Sequence, residues 1–296
     1  MDETLTLSMF FEAWELFRAP ALSGAFAGAL LGALGVYIVL RRMVFVSAAL
    51  AQTAGLGVTL SFFATSAWPA LAFVTPFWGS TTLTLLVAVL LVAQTERFGF
   101  RRESMLGAAY LAGAAGALAV GTRIVQEHHD IESLLFGSAV AVTDDDFTTL
   151  WVTCVVLGGV HLWARRGFVQ ASFDPDGARV RGLPVTVLEM ALFGSIAIAI
   201  SQTTRILGAL PVFAFSVLPA MAALRVARNV PLALMMAAAV GGACGFVGYV
   251  AAFLYKLPVG ASQTLVGLLC VVVAGVWGAG WARLRATKPP PAATVS

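Results

Sequence analysis

Apolar runs of about 20 residues recur along the chain from residue 20 to residue 282, each long enough to cross a hydrocarbon core roughly 30 Å thick as an α-helix. No other feature narrows the fold so far. The chain has 296 residues, 59% hydrophobic and 11% charged, with a mean hydropathy of +0.90. A water-soluble domain of this size would not tolerate such a surface, so its solvent is lipid. In lipid every backbone polar group must be paired within the protein, which leaves helices or closed barrels. The alternating pattern of barrel strands is absent. The expected fold class is therefore all-α, a polytopic transmembrane helix bundle.

Nine spans are expected, at about 20–40, 44–65, 79–94, 104–122, 147–164, 184–203, 206–224, 231–253 and 260–282. They form one transmembrane domain over 20–286, between an N-terminal outer or interfacial segment, 1–19, and a disordered cytoplasmic tail, 287–296, that holds Pro289, Pro290 and Pro291. Strict alternation with Arg41 and Arg42 in the cytoplasm puts fourteen of the eighteen Lys and Arg on that side. Only Arg18, Arg123, Arg205 and Lys256 fall outside, the bias that the positive-inside rule requires. The N-terminus is then outside and the C-terminus inside. The segment from Leu5 to Phe17 mixes apolar and acidic residues and reads either as an amphipathic helix on the outer surface or as a frayed leader. With Asp2, Glu3, Glu12 and Glu15 against Arg18 alone, it lacks the basic start of a signal peptide, and nothing reads as cleaved.

Several function classes are disfavoured. Cys154, Cys244 and Cys270 are far apart, inside apolar segments, and read as packing residues. The net charge of +3 reflects basic helix ends rather than a nucleic-acid partner. A proton- or sodium-coupled carrier keeps buried carboxylates or histidines, since charge at the bilayer centre costs roughly 2.5 kcal/mol or more. Here the one clear ionisable residue within a span is Glu189, about a turn and a half from the cytoplasmic end, where it is expected to snorkel. No HExxH motif or paired Asp marks an intramembrane enzyme, and no GxxxxGK[ST] marks a nucleotide site, so any ATP hydrolysis belongs to another chain. Gly24, Gly28 and Gly32 in the first span, and Gly241 and Gly245 in the eighth, carry the spacing of close helix packing, read ahead of a direct substrate role.

Two loops stand out. The outer loop, 123–146, holds His128, His129 and Asp130 beside Glu127, which are either solvated residues or a transient divalent-cation site, because imidazole and carboxylate suit zinc or manganese. Asp144, Asp145 and Asp146 read as an N-cap and dipole partner for the fifth span. His161, near the inner end of that span, reads as interfacial. The inner loop, 165–183, combines an Asp-Pro-Asp-Gly turn with a short helical patch, suited to docking a cytoplasmic partner.

Five stretches in order, GVYIVLRRMVFVSAALAQTAGLGV (35–58), DIESLLFGSAV (130–140), FDPDGARVRGLPV (173–185), LGALPVFAFSVLPAMAALRVARN (207–229, with Pro219 and Ala220) and LPVGASQTLV (257–266), resemble the zinc/manganese/iron permeases of ABC importers. The resemblance covers most of the chain. It implies a permease that is not itself an enzyme, paired as a homodimer in the bacterial inner membrane. It further implies cytoplasmic ABC ATPase subunits carrying ATP, a periplasmic or surface-anchored metal-binding protein, and a divalent metal as substrate, with no cofactor on this chain and no nucleic acid. The ATPase would dock on Phe173, Asp174, Pro175, Asp176, Ala178, Arg179 and Gly182. The family's second helix has an Asp and, four residues later, a His, on one face and taken to bind the metal. Here those positions are Ala48, which offers no ligand, and Gln52, whose carbonyl oxygen replaces imidazole poorly. Ser47, Gln52 and Thr53 form the polar face of the second span, either lining a pathway or packing between helices. The departure motivates a rival cargo, a metal chelate or small organic solute. A non-transporting membrane scaffold is the rival from another class.

Overall fold

The computed structural model describes residues 5–71, 73–93, 102–124 and 142–286. These form twelve α-helices and one turn of 3₁₀-helix, Pro69–Leu71, with no strand among the described residues. The helices are α1 Leu7–Glu12, α2 Trp14–Leu40, α3 Phe45–Ala67, α4 Pro76–Ala93, α5 Arg102–Gly121 and α6 Asp144–Trp163, then α7 Arg165–Phe173, α8 Pro175–Val180, α9 Val185–Leu207, α10 Ala209–Val226, α11 Val230–Tyr255 and α12 Val259–Ala286. Eight of them are long and apolar enough to cross a membrane. The remaining expected span, the third in order, is α4, which has 18 residues and so rises about 27 Å.

All nine expected spans are helices. The clearest boundary difference is at the start, where the first span begins at Trp14, six residues before the expected 20. Pro20 lies within that helix, where its missing N–H removes one backbone bond of an early turn. The preceding segment is a packed helix: Phe10 of α1 is fully buried against Phe17 and against Tyr249 and Phe253 of α11. The fifth span is capped by Thr143, not by an aspartate. The Thr143 Oγ1 accepts from the Asp146 backbone N–H at 3.2 Å, and Asp144, Asp145 and Asp146 occupy the first turn, where negative charge complements the helix dipole. The tail 287–296 lies outside the described residues.

Two groups of helices make the bundle. α2 packs on α11, α10 and α6, and α3 packs on α5, α4, α9 and α10. α2 and α3 are mostly buried, while α5 and α6 leave most of their length exposed. The closest contact is between α2 and α11, antiparallel, with Gly24 facing Gly245, Gly28 facing Gly241 and Gly32 facing Ala237. A Cβ built on Gly28 would sit on the Gly241 carbonyl, its carbon only 2.8 Å away, and the reverse contact is equally closed. Pro219 of α10 fills the third side of this seam, 3.2 Å from a Cβ at Gly32 and 3.4 Å from one at Gly241. Lipid tails are as apolar as leucine, so close backbone packing of this kind, rather than a hydrophobic drive, holds such helices together. Gln263 of α12 closes the same seam: its buried Nε2 donates to the Gly245 carbonyl at 3.0 Å.

α9 and α10 are joined by one residue, Gly208, at φ +89° and ψ 164°, backbone that is essentially glycine-only. Past this joint the helices separate, α9 toward α4 and α3, α10 toward α12, α2 and α11.

Replacing Gly28 with leucine should force α2 and α11 apart and destabilise the protein by about 1–3 kcal/mol or more, as overpacking does. Gly55→Ala is the matched control, because a Cβ there meets nothing within 4 Å. Thermal unfolding in detergent should show a lower midpoint for the first variant and an equal or higher one for the second.

Candidate functional site: a groove on α3 and the loop beneath it

The polar residues of α3 divide into two kinds. Ser47 is buried, its hydroxyl donating to the Val44 carbonyl at 2.9 Å, and Thr53 is buried, donating to the Ala49 carbonyl at 2.8 Å. Both hydroxyls are consumed by their own helix, the back-bonding that lets such side chains sit inside a bundle. Gln52 is different. It is half-buried, and its Oε1 has no hydrogen-bond partner.

Gln52 opens into a groove of about 370 Å³ between α3, α5 and α10. Ala48 and Gln52 form part of one wall with Phe45 and Ala51, Tyr110, Ala114 and Leu118 form the second, and Ala209, Leu210 and Phe213 the third. Phe45 and Tyr110 meet across one end with ring centroids 5.3 Å apart. Gly113 sets the width: a Cβ there would come within 2.7 Å of the Gln52 backbone carbon, so α5 lies directly against α3 at this level. Sequence reasoning passed over Gly113, though its setting in the small-residue run LAGAAGALA is a visible mark of close packing. Gln52 and Tyr110 are the hydrogen-bonding side chains of the groove, which offers no carboxylate, imidazole or thiolate to a cation. Among the described residues no three His, Cys, Asp or Glu come together as a metal site. His128, His129 and Asp130 lie outside the described residues.

The inner loop is two helices broken at Asp174, rather than a turn followed by a helical patch. Asp174 caps α8, its Oδ1 accepting from the Gly177 N–H at 2.9 Å, and Pro175 takes the first helical position, where no N–H is needed. α8 ends with Gly182 N–H donating to the Arg179 carbonyl at 2.9 Å and Leu183 N–H to the Ala178 carbonyl at 3.0 Å, a Schellman closure. Ala178 is buried beside Ala171 and Val185. Phe173, Val180, Asp176 and Arg179 point outward, the last two as an exposed ion pair at 2.7 Å. Of the seven residues of the expected docking set only Ala178 is buried and Pro175 partly so, while Phe173, Asp174, Asp176, Arg179 and Gly182 are exposed.

Arg41, in the α2–α3 turn, ties this loop to the bundle. Its Nη1 donates to Glu189 Oε1 at 3.0 Å, its Nε to Ser172 Oγ at 3.1 Å and its Nη2 to the Ala171 carbonyl at 3.5 Å, and the guanidinium lies over the Phe193 ring. Glu189 does not snorkel free to water, because a cation comes to it. At the opposite end of the bundle Arg205 of α9 pairs with Asp146 of α6. His161 is partly buried inside the bundle edge, its Nε2 2.8 Å from Ser195 Oγ of α9.

A model of the ABC 3 transport family matches residues 13–277. The manganese transport system membrane protein MntD of Bacillus subtilis is 26% identical over 81% of this chain and 83% of its own length. The high-affinity zinc uptake system membrane protein ZnuB of Haemophilus influenzae is 24% identical over 73% and 80%. Among solved structures, PsaBC from Streptococcus pneumoniae superposes with a TM-score of 0.81 at 18% identity, covering 91% of this chain and 95% of the other, a likeness of fold.

Arg41→Gln should lower stability by about 1–3 kcal/mol, the worth of a hydrogen bond to a charged group lost at a partly buried site. Asp176→Asn, in the exposed pair, should change it by less than about 0.5 kcal/mol. Denaturant titration of both, with Arg41→Gln/Glu189→Gln recovering part of the first loss, checks the assignment.

Proposed function

Since the chain belongs to the ABC 3 transport family, we propose that it is the membrane-spanning permease subunit of an ATP-driven importer for a divalent metal ion, zinc, manganese or iron. The observation that carries this reading is the family match over residues 13–277, together with relatives named for zinc and manganese transport that align over most of both chains.

In this reading two copies pair with their α3, α5 and α10 grooves toward a shared pathway. ATPase subunits dock on the cytoplasmic loop through Phe173, Val180 and the polar residues between them, and an external binding protein delivers the ion. ATP binding and hydrolysis on those subunits switch the pathway between outward and inward states by rigid rearrangement. This chain makes and breaks no bonds. It contributes the path, and Arg41 fastens the loop to the start of the helix that bears Gln52. Residence in the bacterial inner membrane with the N-terminus outside and the C-terminus inside is supported by the basic-residue bias. The pairing of Arg41 with Glu189 puts the 41–44 turn and the 165–183 loop at one end, as four intervening spans require, and so supports the alternation from which that bias is counted.

A second reading, with a metal chelate or small organic solute as cargo, is favoured by one observation. The groove at Ala48 and Gln52 holds no side chain that would bind a bare cation tightly.

Proteoliposomes holding this chain with its ATPase and binding protein should accumulate one of zinc, manganese or iron only when ATP is supplied. Accumulation of none, with ATPase activity still stimulated by the loaded binding protein, would move the assignment to the second reading. In the same preparation Phe173→Asp/Val180→Asp should weaken ATPase association at least about ten-fold, roughly 1.4 kcal/mol, without lowering the unfolding midpoint, since both side chains are exposed.

A further inference from the structure

Between α2, α6 and α11 lies a second cavity of about 390 Å³, on the side of α2 away from the groove at Gln52. Phe26, Leu30, Val155, Leu162 and Met235 make it apolar along its length, and Tyr37, His161 and Arg165 close one end with polar groups. Val155, Leu162 and Met235 are also well exposed, so the cleft opens sideways through the faces of α6 and α11 that meet the hydrocarbon of a bilayer. An apolar cavity stays free of water, and the medium beside this one is acyl chain.

Its dimensions and charge select the occupant. From Phe26 to Tyr37 the helix rises about 16 Å, close to half of a hydrocarbon core of roughly 30 Å, the depth of one leaflet. The polar end coincides with the end of α6 at the membrane surface. Arg165 stands there half-buried, with no ion pair among the described residues. Arg166 beside it and Arg228, three residues before the Pro231 that also lines the cleft, are exposed. A guanidinium with no carboxylate partner among the described residues, at headgroup depth beneath an apolar slot one leaflet deep, fits a phosphate with a chain attached.

We propose that this cleft binds an anionic phospholipid of the leaflet on the Arg165 side, one acyl chain lying between α2, α6 and α11 and the phosphate against Arg165. The lipid adds to the packing of α6, which among the described residues touches the bundle mainly through α2 and α9.

The purified full-length chain, incubated with equal amounts of phosphatidylglycerol and phosphatidylcholine and stripped with detergent, should retain phosphatidylglycerol about five-fold over phosphatidylcholine by native mass spectrometry, the selectivity of about one well-placed basic residue. Arg165→Gln should remove the preference while leaving lipid retention of both kinds. Gly158→Leu should abolish retention, because a side chain there enters open space in the cleft, and Gly158→Ala should retain lipid as the parent does and report on folding. An unchanged preference in Arg165→Gln, or undiminished lipid in Gly158→Leu, would overturn the proposal. Loss of a dimer rather than of lipid in Gly158→Leu would likewise overturn it, by giving the cleft to a second copy of the chain.

Discussion

The Gly28 and Gly241 backbones touch where neither residue has room for a Cβ, and the arrangement of the remaining helices depends on that contact. A membrane bundle gains little from hiding apolar side chains from equally apolar lipid, so its helices hold where backbones come close enough for dense van der Waals packing. α2 and α11 do so over three successive turns, with Pro219 and Gln263 fitted into the seam from α10 and α12. Those four helices make one tight unit. Beside it α3 packs on α4 at Gly57 and Gly79 and on α5 at Gly113, with α9 against α4 and α3, and the groove bearing Gln52 runs where the two units meet, with α3 and α5 on one side and α10 on the other.

Charge has a complementary task at the two ends. Arg41 joins the α2–α3 turn, the inner loop and α9 through four groups, and Arg205 joins α9 to the start of α6. In both pairs the partners are less than about a third exposed, so screening by water is weaker than for Asp176 with Arg179. The loop expected to receive a partner is thus mechanically continuous with the helix expected to line a path.

The sequence made the nine helices legible because length and apolarity suffice to recognise a span. It showed the glycine rows on α2 and α11, but not that they face each other, because spacing along one helix says nothing about its neighbour. Arg41 and Glu189 stand 148 residues apart, and each alone looks like an ordinary residue near a helix end. Ser47, Gln52 and Thr53 look equally polar on paper. They differ because a hydroxyl reaches a carbonyl of its own helix, three or four residues back, and the longer amide of Gln52 finds no such partner for its oxygen. α7 was missed because RRGFVQASF is too polar for a span and too short for a surface helix to declare itself. Thr143 was hidden as a cap by the three aspartates that follow it.

Gly208 gives the bundle an uneven lever. α9 and α10 share a single residue at one membrane face and belong to different packed units, so any swing of one unit against the other has its shortest arm there and its longest at the face that carries Arg41 and the inner loop. Displacement at the Gly208 end is limited by one peptide, whereas the far ends of the same two helices are more than twenty residues away on one side and eighteen on the other. A push at the loop face is consequently the efficient place to drive such a swing, and a push at the Gly208 face the inefficient one.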